Sequence, residues 1–79
     1  MLPEYREFLE KVYALTNGDE DNKVTEESVG KELGLDPTES KKIVKWLIQE
    51  GLLKRPSMGY IRITHEGIKE IEEKKIEGK

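Results

Sequence analysis

The sequence predicts a mostly α-helical domain with one small β-hairpin, an α+β fold in which three helices precede the hairpin and a fourth follows it. Apolar side chains recur at three- and four-residue steps in four stretches of the chain, as on one face of a helix. Helix-capping residues and glycines bracket these stretches. The segment 52–64 instead favours a hairpin. A chain of 79 residues is long enough for one domain, spanning residues 1–79, and not for two.

The first helix is indicated by a proline at its start and by an apolar stripe. Pro3 suits the first position of a helix, where no backbone N–H is needed. Asn17 and Gly18 predict the end of this helix, since both residues tolerate a left-handed backbone. The stripe consists of Tyr5, Phe8, Leu9, Val12 and Tyr13.

The second helix is predicted to be short. Thr25 is a favoured N-cap residue, and Gly34 marks the C-terminal end. Val29 and Leu33 define its buried side. Val24, immediately before the cap, is expected to form a strand of one or two residues.

The third helix has the sharpest local signal in the sequence. Asp36 can cap the helix, and Pro37 fits its first position. Gly51 ends it, so the helix is predicted over about residues 37–50. One face is apolar and consists of Ile43, Val44, Leu47 and Ile48.

The hairpin is predicted over about residues 52–64. Its two strands are Leu52–Arg55 and Tyr60–Thr64, and the segment Pro56–Gly59 supplies the turn. Thr64 then caps a final helix, whose apolar side includes Ile68, Ile71 and Ile76.

The second and third helices are joined only by Gly34, Leu35 and Asp36. Such a tight connection forces the two helices to cross steeply, which is helix-turn-helix geometry. A hairpin directly after the third helix occupies the position of a wing. The sequence therefore predicts a winged helix-turn-helix with a three-helix core, a two-stranded wing and a C-terminal helix.

The run from Val24 to Arg55 resembles the winged helix-turn-helix domains of MarR-type and related prokaryotic transcriptional regulators. The matching residues are Leu33-Gly34-Leu35-Asp36, Leu47, Gly51-Leu52-Leu53-Lys54-Arg55 and Ile63-Thr64-His65-Glu66-Gly67. The resemblance covers roughly residues 20–75. It implies double-stranded DNA binding, with the third helix in the major groove and the wing on the flanking backbone. Gly30 departs from the pattern, because many such domains have Ala there, and the chain is shorter than most MarR proteins.

The charge is unevenly distributed along the chain. The formal net charge is −3. Residues 1–36 carry 4 basic and 10 acidic side chains, a net of −6, and residues 63–79 carry 4 basic and 5 acidic ones, a net of −1. Residues 37–62 carry 6 basic and 2 acidic side chains, a net of +4. A local basic segment matters more to a phosphate backbone than the total charge does.

The predicted DNA-binding residues lie on the third helix and the wing. At about 100° per residue, one face of this helix points away from its apolar side. Its polar residues are Thr38, Lys41, Lys42, Lys45 and Gln49, and the wing adds Lys54, Arg55 and Arg62 on what is expected to be the same side of the domain. Lysines contact phosphates or guanine, and Gln49 can pair with adenine. An ordinary solvated lysine face is the alternative interpretation.

Two other residues of the third helix are assigned by the same geometry. Ser40 points toward the core side, where a small residue allows close helix crossing. Trp46 lies well away from the apolar centre, which leaves three alternatives: packing beneath the wing, stacking on a partner or lying in a dimer interface. Packing against its own domain is the expected outcome.

Enzymatic, metal and membrane functions are not predicted. The chain has no Cys, and its single His65 lies at a helix start without a Ser/His/Asp set or a Gly-rich phosphate loop. The acidic segment 19–22 fails as a calcium loop, because Val24 and Gly30 stand where Gly and Glu are required. No apolar stretch is long enough for a membrane span or resembles a signal peptide. We therefore expect no cofactor, no metal, no small-molecule substrate and a cytoplasmic protein.

Sequence-dependent DNA binding by a small transcriptional regulator is the favoured function. The alternative is a protein–protein interaction module on the same scaffold, suggested by the acidic N-terminal part and by Trp46. RNA binding is a third hypothesis. A weak homodimer through the first or last helix is expected, because a single domain contacts only a half-site.

The charged content of 39%, dominated by Glu and Lys, is typical of thermophile proteins.

Overall fold

Four helices and three short strands follow one another in a computed structural model, which describes the backbone of residues 1–77 and the side chains of residues 1–73. The elements are α1 (Pro3–Leu15), β1 (Val24–Thr25), α2 (Glu26–Leu33), α3 (Pro37–Gln49), β2 (Leu53–Lys54), β3 (Tyr60–Ile63) and α4 (His65–Glu77). This is a small α+β domain, as predicted. No helix in the described part of the chain is long and apolar enough to cross a membrane.

The predicted N-caps are confirmed at three helices. The Oγ1 atom of Thr25 accepts a hydrogen bond from the backbone of Ser28 at 3.2 Å, which starts α2. The Oδ1 atom of Asp36 accepts one from the Glu39 backbone at 2.9 Å, which starts α3. Thr64 caps α4 in the same way. Each cap satisfies a backbone N–H that has no partner inside the helix.

The end of α3 explains why the first hairpin strand is shorter than predicted. Gly51 has a left-handed backbone with φ of 78°, and the N–H of Leu52 donates to the carbonyl of Leu47 at 2.9 Å. This pattern closes a helix with a glycine just beyond its last turn. Because the N–H of Leu52 is used by α3, the strand is limited to Leu53–Lys54 rather than residues 52–55.

The sheet has three strands rather than the two predicted for the wing. Its order is β1-β3-β2, and all neighbours are antiparallel. The additional strand is the one expected at Val24, which pairs with Ile61 and so covers the second edge of β3. The N–H of Glu26 also donates to the carbonyl of Gly59 at 3.0 Å. The turn end of the hairpin is therefore attached to the start of α2.

The core collects buried apolar side chains from each of the helices and from the hairpin. They are Phe8, Leu9, Val12, Val29, Ile43, Val44, Leu47, Leu53, Ile61, Ile63 and Ile71. Ser40 is also buried, which confirms that it faces the core side. It lies against Gly30, where a Cβ would overlap its Oγ atom. Helices α2 and α3 thus approach more closely than two ordinary side chains would allow.

Candidate nucleic-acid interface

The outer face of α3 is polar and exposed. Its Ser40, Ile43, Val44 and Leu47 side chains are buried on the opposite face, as the 3.6-residue period requires. The five residues predicted for this outer face are all exposed: Thr38, Lys41, Lys42, Lys45 and Gln49. The sequence therefore predicted correctly which side of the helix is available to a partner.

The three lysines of this face have no acidic partners. Among the side chains of residues 1–73, ion pairs within 4.0 Å involve Arg6, Lys31 and Arg55. None of them involves a lysine of α3. Among the described side chains, the outer face of α3 therefore presents three positive charges with no carboxylate within 4.0 Å, an arrangement suited to contacting phosphates.

Arg55 does have an acidic partner. Its Nη2 atom lies 2.7 Å from Oε1 of Glu26, the first residue of α2. Both side chains line a groove between α3 and the hairpin, with a cavity volume of about 470 Å³, and Lys41, Met58 and Gly59 line it as well. The structure thus brings Arg55 next to the basic face of α3, but as half of an ion pair.

Lys54 and Arg62 lie elsewhere, which corrects the expectation that the three basic residues of the wing share one side. They are paired across β2 and β3 and alternate with the core residues Leu53 and Ile63. Arg55 lies beyond the end of β2 and is paired with Glu26, so Lys54 and Arg55 lie at different sites. Lys54 and half-buried Arg62 line a separate concavity, together with Glu20, Asp21, His65 and Glu66.

The tip of the hairpin carries a large apolar side chain that sequence reasoning missed. Met58 is 93% exposed, although methionine is usually buried. Its place in the predicted turn, between Ser57 and Gly59, was the available signal. Tyr60 at the base of the turn lies under the ammonium group of Lys23, 4.6 Å from the ring centroid.

Trp46 packs against its own domain, as expected, and its aromatic contact is with α1. Its ring centroid lies 4.9 Å from that of Tyr5 in α1, and the side chain is half-buried. This tilted aromatic contact joins α1 to α3. It explains how a tryptophan remote from the apolar centre of α3 is accommodated without a partner protein.

The apolar side of α4 is used within the domain. Ile71 is 2% exposed and belongs to the core, and Ile68 packs against that core. The side chain of Ile76 lies outside the described residues. Ile68 and Ile71 therefore do not form the exposed stripe expected for a dimer. The larger exposed apolar residues near α1 are Met1 and Leu2 at its start and Leu15 at its end. The homodimer stays a prediction.

Comparison of the chain with protein-family models, with curated proteins and with solved structures finds no match. A function for this protein therefore has to be argued from the geometry and charge of the α3 face and the groove beside it.

Proposed function

We propose that this protein is a winged-helix domain of the kind found in MarR-type and related regulators, and that it binds double-stranded DNA as a small cytoplasmic transcriptional regulator. Helix α3 enters the major groove, and the hairpin contacts the flanking backbone. The observation that carries the proposal is the exposed face of α3, where three lysines have no carboxylate within 4.0 Å among the described side chains. Elsewhere the protein is predominantly acidic.

The dimensions of α3 support insertion into DNA. Its 13 residues give a length of roughly 20 Å. A helix with side chains is about 10–12 Å wide, and the major groove is about 12 Å wide. Lys42 and Lys45 then reach phosphates or guanine acceptors. Thr38 and Gln49, at either end of the face, supply the groups that can discriminate between bases.

The order of the elements also supports the proposal. The connection from α2 to α3 is short, and the hairpin follows α3 directly. The bond from the Glu26 backbone to Gly59 holds the hairpin beside the start of α2. A helix face and a hairpin fixed in one rigid unit can contact DNA together without first being ordered, which lowers the entropic cost of binding.

Fluorescence anisotropy of a labelled random-sequence duplex, titrated with protein across a range of salt concentrations, tests the proposal. Each lysine–phosphate contact contributes about 0.9 to the slope of log affinity against log salt. We expect Lys42→Ala/Lys45→Ala to reduce that slope by about 1.8, and to weaken binding about 60-fold at 0.1 M salt. The matched control, Lys11→Ala/Lys69→Ala, removes the same charge from α1 and α4 and should change the slope little.

Absence of duplex binding at low salt would exclude the proposal, because counterion release favours binding most strongly there. Equal losses in the two double variants would show that total charge, rather than the α3 face, governs binding. Either result would favour the alternative function, a protein–protein interaction module. Its surface would then be the acidic N-terminal part of the chain, since Trp46 is engaged with Tyr5.

A further inference from the structure

The carboxylate of Glu26 lies among the basic groups of the candidate interface. It is 2.7 Å from the Arg55 guanidinium. It also lines two adjoining grooves, of about 370 and 470 Å³, and Lys41 lines both of them too. The Glu26 side chain is only 12% exposed, whereas that of Arg55 is 37% exposed. The acid is therefore set deeper in the groove than its partner.

The backbone fixes Glu26 in this position. It is the first residue of α2, directly after the Thr25 cap, and its N–H donates to Gly59 of the hairpin. A carboxylate in the first turn of a helix is further stabilised by the helix dipole. Its location between α2, α3 and the hairpin is thus set by secondary structure rather than by Arg55 alone.

A carboxylate and a phosphate present similar chemistry to a guanidinium. Both offer anionic oxygens to its fork of N–H donors. Arg55 is the basic residue of the hairpin that shares a groove with α3. A DNA phosphate that reaches this groove from the α3 side meets Lys41, which has no acidic partner, and Arg55, which is already neutralised by Glu26.

We infer that Glu26 competes with the DNA backbone for Arg55, and that it restrains the affinity of the α3 face for duplexes. This inference rests on the proposed function. The Arg55 side chain is 37% exposed, so it can turn from Glu26 to a phosphate without unfolding the hairpin. In the wild-type protein the pair of Glu26 and Arg55 therefore has no net charge when DNA binds. The lysines of α3 supply most of the attraction for the DNA.

Anisotropy titrations of the same random-sequence duplex with Glu26→Gln test the inference. Release of Arg55 adds one phosphate contact, so the slope of log affinity against log salt steepens by about 0.9 and binding tightens about eightfold at 0.1 M salt. In Glu26→Gln/Arg55→Gln the released charge is absent. We expect the affinity and the slope of this double variant to return to those of the wild-type protein. A gain that arose from Lys41 would instead persist in the double variant.

Glu27→Gln is the matched control. Glu27 is the other acidic residue in the first turn of α2, but its side chain is 78% exposed and its ion-pair partner is Lys31, at 4.0 Å. The substitution removes the same charge and the same dipole interaction without releasing Arg55. We expect it to give less than half of the gain in affinity. Equal gains from both substitutions overturn the inference, because they show a general charge effect.

Circular dichroism of every variant checks folding before binding is measured. Should Glu26→Gln not fold, Glu26→Asp replaces it: the shorter side chain withdraws from Arg55, and we expect a smaller steepening of the slope. Unchanged affinity in the folded variant overturns the inference alone, provided that Lys42→Ala/Lys45→Ala still weakens binding. Absence of binding by the wild-type protein overturns the proposed function and the inference together.

Discussion

Position 30 has no side chain because Ser40 of the facing helix occupies the space. A Cβ built on Gly30 would overlap the Ser40 Oγ atom, and both residues are buried. We expect Gly30→Ala to destabilise this protein by about 1 kcal/mol, since the buried Ser40 hydroxyl must give way at a tightly packed helix crossing. The midpoint of urea unfolding measures the change.

Ser40→Ala provides the control for this substitution. It removes the overlapping oxygen, and the nearest remaining Ser40 atom would lie 3.4 Å from the new Cβ. Alanine is preferred to glycine inside a helix by up to about 1 kcal/mol. Gly30→Ala/Ser40→Ala should therefore be at least as stable as Ser40→Ala alone. A double variant as unstable as Gly30→Ala would contradict this account of the crossing.

Individual residues differ in how far the sequence predicts their surroundings. Exposure of Lys42 and burial of Ser40 follow from the helical period alone, since neighbours along a helix lie on known faces. The ion pair between Glu26 and Arg55 does not follow, because 29 positions separate the two residues and only the packing of the hairpin on α2 brings them together. The sequence therefore could not predict that Arg55 is paired with Glu26 beside the candidate interface.

At the scale of elements, Thr64 links the end of α3 to the start of α4. Its Oγ1 atom accepts from the Gly67 N–H at 3.0 Å, which caps α4, and donates to the Gly51 carbonyl at 2.7 Å, just beyond α3. We expect Thr64→Val to cost about 1–2 kcal/mol in unfolding free energy, because the shape is kept while both bonds are lost. Thr64→Ser retains the hydroxyl and should stay within about 0.5 kcal/mol of the wild-type protein. Equal urea midpoints for the two variants would contradict the bonding role.

The elements themselves were largely predictable, and their edges were not. Caps such as Asp36 act through bonds three residues away, so the sequence contains the whole interaction. Strand β1 and the shortened β2 depend instead on pairing with β3 and on the closing turn of α3. The separation of Lys54 from Arg55 has the same origin, because β2 ends at Lys54 and Arg55 pairs with Glu26 instead.

At the scale of the whole molecule, a hydrogen bond of Tyr13 helps to connect the first helix to the last. The hydroxyl of Tyr13 in α1 donates to Oε2 of Glu72 in α4 at 2.9 Å. This hydrogen bond raises the pKa of Tyr13 above its usual value of 10.0, and burial and the negative charge of Glu72 add to the effect. The folded protein thus holds the tyrosine proton more tightly than the unfolded chain does.

The contact between α1 and α4 should consequently depend on pH. The contribution of this hydrogen bond to stability is complete below pH 10, the pKa of tyrosine in the unfolded chain. It declines as the pH rises through the higher pKa of Tyr13 in the folded protein. We expect wild-type protein to be more stable than Tyr13→Phe at neutral pH, and this difference to shrink in urea unfolding above pH 10. Glu72→Gln keeps a hydrogen-bond acceptor but removes the negative charge. In this variant the stabilisation by the Tyr13 hydrogen bond should therefore begin to decline at a lower pH than in the wild type. A difference between wild type and Tyr13→Phe that stays constant into the alkaline range would show that this hydrogen bond does not join the helices in solution.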